Sequence, residues 1–325
     1  IFAYEYSSED LREFFTSLVD SYIDGLIIEI RRRASRDATL AAGEFPFPSI
    51  REGQMSFMEA VNGAIQNKEK LFVRAPTGIG KTAAALFPAL KSIVNGHASL
   101  IFYLSARTTQ QRNAENYLEL TRAAGSQIRS ITITARAKIC FLNLEICEPD
   151  SCPFAQGYYD RLPDALREVS SRPGLGYTRE KIEALARLYT LCPYELSLDV
   201  SLFSDVIICD YNYVFDPMVY LRRFFQYGDP KGYVLLVDEA HNLVDRSREM
   251  FSGIVRKRHV HAAKKVVDPE DHPELSDGLK RMNSYFISLR NTMKEESLRF
   301  WVADDIDTEF QENVAEILEH LTNYF

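Results

Sequence analysis

Leu71-Phe72-Val73-Arg74-Ala75-Pro76-Thr77-Gly78-Ile79-Gly80-Lys81-Thr82-Ala83-Ala84-Ala85-Leu86 is the stretch from which the fold of this chain is read. A short apolar run ends in a glycine-bearing loop, and the loop turns into an alanine-rich segment of high helix propensity. Ala75 to Thr82 fits the phosphate-binding pattern G-x-x-x-x-G-K-[ST], with alanine at the first glycine position. Gly78 and Gly80 let successive backbone N–H groups point at one anion, and the start of the next helix adds its positive dipole end. In such a loop Thr77, Gly78, Ile79 and Gly80 form the cradle, Lys81 neutralises the β/γ phosphates and the Thr82 hydroxyl reaches Mg²⁺.

A second apolar run, Tyr233 to Val237, breaks directly into Asp238-Glu239-Ala240-His241. It reads as a strand buried on both faces, and acidic residues at its carboxyl end lie where parallel α/β sheets place their chemistry. Asp238 is expected to hold Mg²⁺ and Glu239 to orient or deprotonate an attacking water. Either motif alone has a bland reading, as a structural loop or a solvated acidic turn. Together, in this order and each after an apolar run read as a buried strand, they imply a P-loop ATPase built on a parallel sheet.

The 325 residues suffice for about two domains or one elaborated domain. No apolar run approaches the roughly 20 residues of a membrane span, so no membrane partner is expected. The formal charge of −8 argues against broad coating of nucleic acid and leaves room for a local basic groove. Because the chain begins at Ile1 and stops within a helical pattern, it is expected to be part of a longer protein.

Residues 8 to 42 read as one helix or two. Leu11, Phe14, Leu18, Tyr22, Leu26 and Ile30 recur at three- and four-residue steps, and Ser7 with Asp10 has the form of a capping box. The stripe is expected to be core or a docking surface, and Arg31, Arg32, Arg33 and Arg36 a solvated helix face. Gly43, Pro46 and Pro48 end the segment. Arg51-Glu52-Gly53-Gln54 then precedes another helical stretch, and the Gln54 amide can both donate to and accept from an adenine edge. Leu100 to Leu104 is a strand of the buried type. Ser105-Ala106-Arg107-Thr108-Thr109 at its end suits a ligand, a nucleic-acid backbone or a helix cap.

Four of the five cysteines, Cys140, Cys147, Cys152 and Cys192, fall between this strand and a further apolar run, Val206 to Ile208. Cysteines in an intracellular ATPase are more often metal ligands or small core residues than disulfides. The proline after Cys152 and after Cys192 frees the backbone for a ligand loop. Their spacing is open between zinc, an iron–sulfur cluster and unrelated buried thiols. Cys209 reads as core.

Taken together, these features resemble the XPD/DinG family of iron–sulfur superfamily 2 DNA helicases. The resemblance rests on Arg51-Glu52-Gly53-Gln54, the P-loop, Tyr103 to Thr108, the cysteine insert, Asp205 to Tyr213 and the DEAH box, and covers about residues 46 to 325. It implies an α/β fold, a RecA-like parallel sheet with a cysteine-ligated insertion and a helical arch insertion. The implied domains are an amino-terminal helical extension or linker (1–45), helicase domain 1 (46–134 and 201–262), a cluster domain (135–200) and the start of the arch (263–325). The resemblance further implies ATP, Mg²⁺ and a [4Fe-4S] cluster on Cys140, Cys147, Cys152 and Cys192. By it, Arg51 and Gln54 serve the nucleotide, with Gln54 reading adenine. Lys81, Thr82, Asp238 and Glu239 carry hydrolysis, and His241 couples nucleotide to DNA. Arg107, Thr108, Arg136 and Lys138 are the implied DNA contacts, on single strands and at single/double-strand junctions, with 5′ to 3′ movement in repair or replication-conflict resolution.

The family's second RecA-like domain, which closes the ATP site, has no counterpart in these residues, so the chain alone is expected to bind nucleotide weakly and not to unwind DNA. Some bacterial relatives carry an amino-terminal nuclease-like module where residues 1–45 stand, although no catalytic carboxylate set is present here. A cytoplasmic location, nucleoid-associated in a bacterium, goes with this reading. Two other classes fit parts of the sequence: a P-loop switch with structural zinc and no unwinding, and a DNA-binding scaffold without hydrolysis.

Overall fold

Alternation along the central strands decides which helices cover which side of the sheet. The computed structural model describes residues 6–76, 78–142, 147, 150–172, 174–228 and 230–324. Residues 1–251 form one unit and residues 252–325 a second.

The first unit begins with α1 (Ser8–Ala42), α2 (Gln54–Asn67) and α3 (Lys81–Val94), followed by β1 (Leu100–Leu104), α4 (Thr108–Ala123) and β2 (Ser130–Thr132). The cysteine-bearing stretch contributes α5 (Arg136–Ile139), α6 (Tyr158–Ser171), β3 (Gly176–Tyr177), α7 (Arg179–Tyr189) and α8 (Pro193–Ser201). Then come β4 (Val206–Cys209), α9 (Asn212–Phe215), α10 (Arg222–Phe225), β5 (Tyr233–Val237) and α11 (Leu243–Met250). Among the described residues the strands form one sheet in the order β3-β2-β4-β1-β5, and every pairing is parallel. Parallel neighbours need crossovers, which is why helices lie on both faces.

Side chains alternate across the pleat. Ile101, Tyr103, Val206 and Ile208 join Leu40 of α1, Leu86 and Leu90 of α3 and Leu118 of α4 in one core. Leu100, Phe102, Leu104, Ile207 and Cys209 join Ile139, Val169, Ile182 and Leu196 in the other. The cysteine stretch thus covers a face of the sheet and adds β3 to its edge.

Two strand expectations are corrected. Leu71 to Pro76 carry no strand, and Phe72 is 88% exposed. Residues Tyr233 to Val237 do form a strand, but it is half-buried rather than buried on both faces, with Leu235 39% exposed. Among the described residues β5 pairs only with β1 and is an edge strand, which leaves its outer side without a ladder partner.

Residues 8–42 are one continuous helix. Ser7 Oγ accepts from Asp10 N at 3.1 Å, and the Asp10 carboxylate accepts from Ser7 N at 3.0 Å. Lys91 Nζ closes the other end by donating to the carbonyls of Leu40, Ala41 and Gly43 at 2.7, 3.0 and 2.6 Å. The apolar stripe from Leu11 to Ile30 is exposed.

The arginine run departs from the expected solvated face: Arg32 and Arg36 are buried. Arg32 grips Asp205 with two parallel hydrogen bonds of 2.8 and 3.0 Å, Arg36 pairs with the same carboxylate, and the Arg129 N–H donates to it at 2.8 Å. Asp205 and Arg129 stand just before β4 and β2, so α1 is riveted across the amino-terminal ends of two strands. Burial works to raise the Glu29 pKa, but the Arg32 and Arg33 guanidiniums beside it bring the carboxyl from 4.5 down to about 2. The folded chain therefore keeps Glu29 ionised further into acid than the unfolded chain does. Its contribution to stability is full above pH 4.5 and lost as pH falls toward about 2. Glu29→Gln is expected to flatten the acid side of the stability profile in that window, read by denaturant unfolding at a series of pH values.

The second unit holds α12 (Lys257–Val266), α13 (Pro273–Glu295) and α14 (Thr308–Tyr324). Val260, Leu275, Leu279 and Met282 form its core against Phe310, Val314 and Ile317. A Cβ at Gly278 would come within 2.9 Å of Ile317, so the missing side chain permits the close approach of α13 and α14.

Candidate active site

The phosphate loop has the backbone its glycines foretell. Gly78 and Gly80 lie at φ 86° and 84°, the left-handed region that favours glycine, and Gly80 caps α3, which starts at Lys81. Thr77 lies outside the described residues. Arg51 and Gln54 reach this loop from the preceding turn. Arg51 Nη1 donates to the Gly78 carbonyl, Gln54 Oε1 accepts from Arg51 N at 3.0 Å, and Gln54 Nε2 donates to the Gly80 carbonyl at 3.4 Å. A Cβ at Gly80 would meet Gln54 Nε2 at 2.7 Å. In this structure the Gln54 amide supports the phosphate loop. Ile79 lies beside Gly53, with its Cδ1 3.3 Å from where a Cβ there would be.

The acidic motif follows β5 at the carboxyl edge of the sheet, beside this loop. Lys81 Nζ stands 3.6 Å from Glu239 Oε1, and His241 Nδ1 stands 3.4 Å from Glu239 Oε2. Glu239 adopts φ 51°, a left-handed backbone that a non-glycine residue holds only when its surroundings impose it. Here the Glu239 carbonyl accepts from Asn242 N at 3.0 Å, from Asn242 Nδ2 at 3.1 Å and from the Tyr211 hydroxyl at 3.3 Å. Tyr211 also donates to the Asp238 carbonyl. Burial, then the Asp238 carboxylate, pushes the Tyr211 phenol up to about 12.

A second tyrosine completes the arrangement. The Tyr103 hydroxyl donates to Asp238 Oδ2 at 2.7 Å and lies 3.4 Å from Thr82 Oγ1, so one phenol stands between the two residues expected to serve Mg²⁺. Burial, then the neighbouring carboxylate, raises its pKa well above the usual phenol value. Sequence reasoning gave Tyr103 and Tyr211 no role of their own. The available signal was a tyrosine one residue before the carboxyl end of an otherwise aliphatic and phenylalanine-bearing buried strand, where a polar tip reaches the loops.

Of the residues expected to touch DNA, Arg107, Thr108, Arg136 and Lys138 are all exposed. Arg107 and Thr108 open α4 just after β1, and Arg136 opens α5 just after β2, so all four lie at the same carboxyl edge as the phosphate loop. Buried Ser105 fixes the first turn, donating to Gln110 Oε1 at 2.5 Å and accepting at its carbonyl from Gln111 Nε2 at 3.0 Å.

The cysteines are partly assembled. Cys192 caps α8 ahead of Pro193. Burial pushes its thiol up, the N–H groups of Glu195 and Tyr194 pull it back, and nearby Cys152 pushes it up again. Cys152 is buried, Cys140 half-buried at the end of α5, and Cys147 exposed. Phe141 and Phe154 stack edge-on with centroids 5.0 Å apart, tying the Cys140 segment to the Cys152 segment, and the Arg187 guanidinium lies 3.9 Å over Phe141. Among the described residues no three His, Cys, Asp or Glu side chains stand together as a metal set. Cys209, in β4, is fully buried, as expected of a core thiol.

Comparison with known proteins bears on these features. The DEAD_2 family model matches residues 103–260, and the DEAD/DEAH box helicase model matches residues 52–142. The chain is 25% identical over 249 residues to the general transcription and DNA repair factor IIH helicase subunit XPD of Arabidopsis thaliana, covering 66% of this chain and 32% of that protein. It is 49% identical over 226 residues to a probable ATP-dependent helicase of Methanocaldococcus jannaschii, covering 65% of this chain and 31% of that one. It spans about a third of the length of these two relatives. A solved XPD helicase chain shares the fold, with a TM-score of 0.50 at 18% identity over 85% of this chain and 48% of that chain. No helix among the described residues is long and apolar enough to cross a membrane.

Proposed function

We propose that this chain, which matches the DEAD_2 and DEAD/DEAH box helicase models and is similar to XPD helicases, is the ATP-binding part of an iron–sulfur DNA helicase moving 5′ to 3′ on single strands in DNA repair or replication-conflict resolution. The observation that carries the reading is the convergence of Lys81, Thr82, Asp238 and Glu239 at one edge of the sheet. Lys81 stands 3.6 Å from Glu239 and is less than half exposed, so it can exchange this carboxylate for the phosphates of a bound nucleotide. That exchange releases Glu239 to orient a water, while His241, already beside Glu239, is placed to sense the change. Thr82 and Asp238 would hold Mg²⁺, and Arg51 and Gln54 brace the loop from behind, with the adenine edge as the further role of Gln54.

Arg107, Thr108, Arg136 and Lys138 supply exposed donors for a DNA backbone at the same edge, where single strands and junctions would be gripped. Cys140, Cys147, Cys152 and Cys192 would hold the [4Fe-4S] cluster. The donor chemistry suits it: thiols from three segments, with Cys192 at the amino-terminal end of α8. Through these thiolates a bound cluster would cross-link α5, the Cys152 loop and α8 beside the proposed DNA contacts. Residues 263–325 would form the start of the arch.

ATP turnover stimulated by single-stranded DNA tests the reading in the full-length protein. Lys81→Ala and Glu239→Gln are each expected to lower it by about 100-fold or more. Turnover unchanged in both variants would leave a DNA-binding scaffold that hydrolyses nothing.

A further inference from the structure

Asp238 lies on the loop after a half-buried edge strand, yet a metal-binding carboxylate must present its oxygens in a set direction. The support comes from the neighbouring strand. Tyr103 is 2% exposed and sits in β1 between Ile208 of β4 and Leu236 of β5, so its ring has no room to swing. Its hydroxyl is thereby held 2.7 Å from Asp238 Oδ2 and 3.4 Å from Thr82 Oγ1.

We propose that Tyr103 is a positioning residue for divalent-cation binding: its hydroxyl occupies one oxygen of Asp238, fixes the rotation of the carboxylate and leaves the other oxygen for the cation that Thr82 also reaches. This rests on the nucleotide-site reading of Thr82 and Asp238. The hydrogen bond crosses between elements 135 residues apart in sequence and links the rigid middle of the sheet to its edge. A phenylalanine would fill the same space in the core but leave the carboxylate free to turn.

The test is binding of a fluorescent ADP analogue at increasing Mg²⁺, with a parallel titration in EDTA, for the wild-type chain and Tyr103→Phe. The Mg²⁺ concentration for half-maximal effect is expected to rise about tenfold in the variant, as fits the loss of one hydrogen bond to a charged group. Affinity in EDTA should stay within about twofold, because the phosphate loop keeps its own contacts. An unchanged Mg²⁺ requirement, with wild-type binding intact, would overturn the role of Tyr103 and leave the nucleotide site standing. Equal weakening with and without Mg²⁺ would make the hydroxyl a general packing element and also overturn it. A wild-type chain that binds no nucleotide under either condition would remove the site reading and the proposal with it.

Discussion

Asp205→Asn is expected to lower the unfolding free energy of the first unit by about 3–5 kcal/mol, the usual cost of stripping one partner from a buried ion pair. The carboxylate serves both Arg32 and Arg36, which are buried with it, and it accepts the backbone N–H of Arg129. Asparagine keeps the shape and one acceptor oxygen but leaves two buried guanidiniums without their shared counter-charge. Arg129 adds to the strain of the site, since it is 1% exposed, its Nη1 lacks a hydrogen-bond partner and Glu29 is 3.7 Å away. Arg33→Ala, by contrast, removes a guanidinium that is mostly in water and should cost under about 1 kcal/mol. Urea unfolding of the two variants beside wild type checks the pair of values. Equal small losses would mean that α1 is not riveted to the strand ends.

Cys192→Ser is expected to strip most of the iron from anaerobically purified protein, whereas Cys209→Ser should retain it. The two thiols differ in placement. Cys192 caps α8 near Cys152; Cys209 is sealed inside β4 against the core of the sheet. Loss of the Cys192 ligand should also loosen the face it anchors, because α8 contributes Leu196, Leu198 and Val200 to the core under the cysteine stretch. Iron per chain and the rate of limited proteolysis measure both effects. Full iron in Cys192→Ser would remove that residue from the ligand set.

What could be read from the sequence was local. The phosphate-loop pattern declares itself in eight consecutive residues, the capping box in four, and β1 and β4 by unbroken apolar runs; the capping box and both strands stand where they were expected. The pairings that finish the site are distant. Arg32 meets Asp205 across 173 positions and Tyr103 meets Asp238 across 135, so no window on the chain brings them together. The arginines at 32 and 36 read as solvated because charged helix residues usually are; only the strand ends they cross make them core. Likewise the run from Leu71 to Val73 has a strand's composition, but a strand exists only where a neighbour completes its ladder. The two-residue β3 is too short for any pattern to announce.

Whether Cys140, Cys147, Cys152 and Cys192 hold a [4Fe-4S] cluster is decided by the absorption spectrum of anaerobically purified protein, with iron, sulfide and zinc quantified on the same sample. A brown protein with about four iron atoms and matching sulfide per chain is expected. A colourless protein with one zinc, or with no metal at all, would overturn the cluster assignment and with it the iron–sulfur helicase reading.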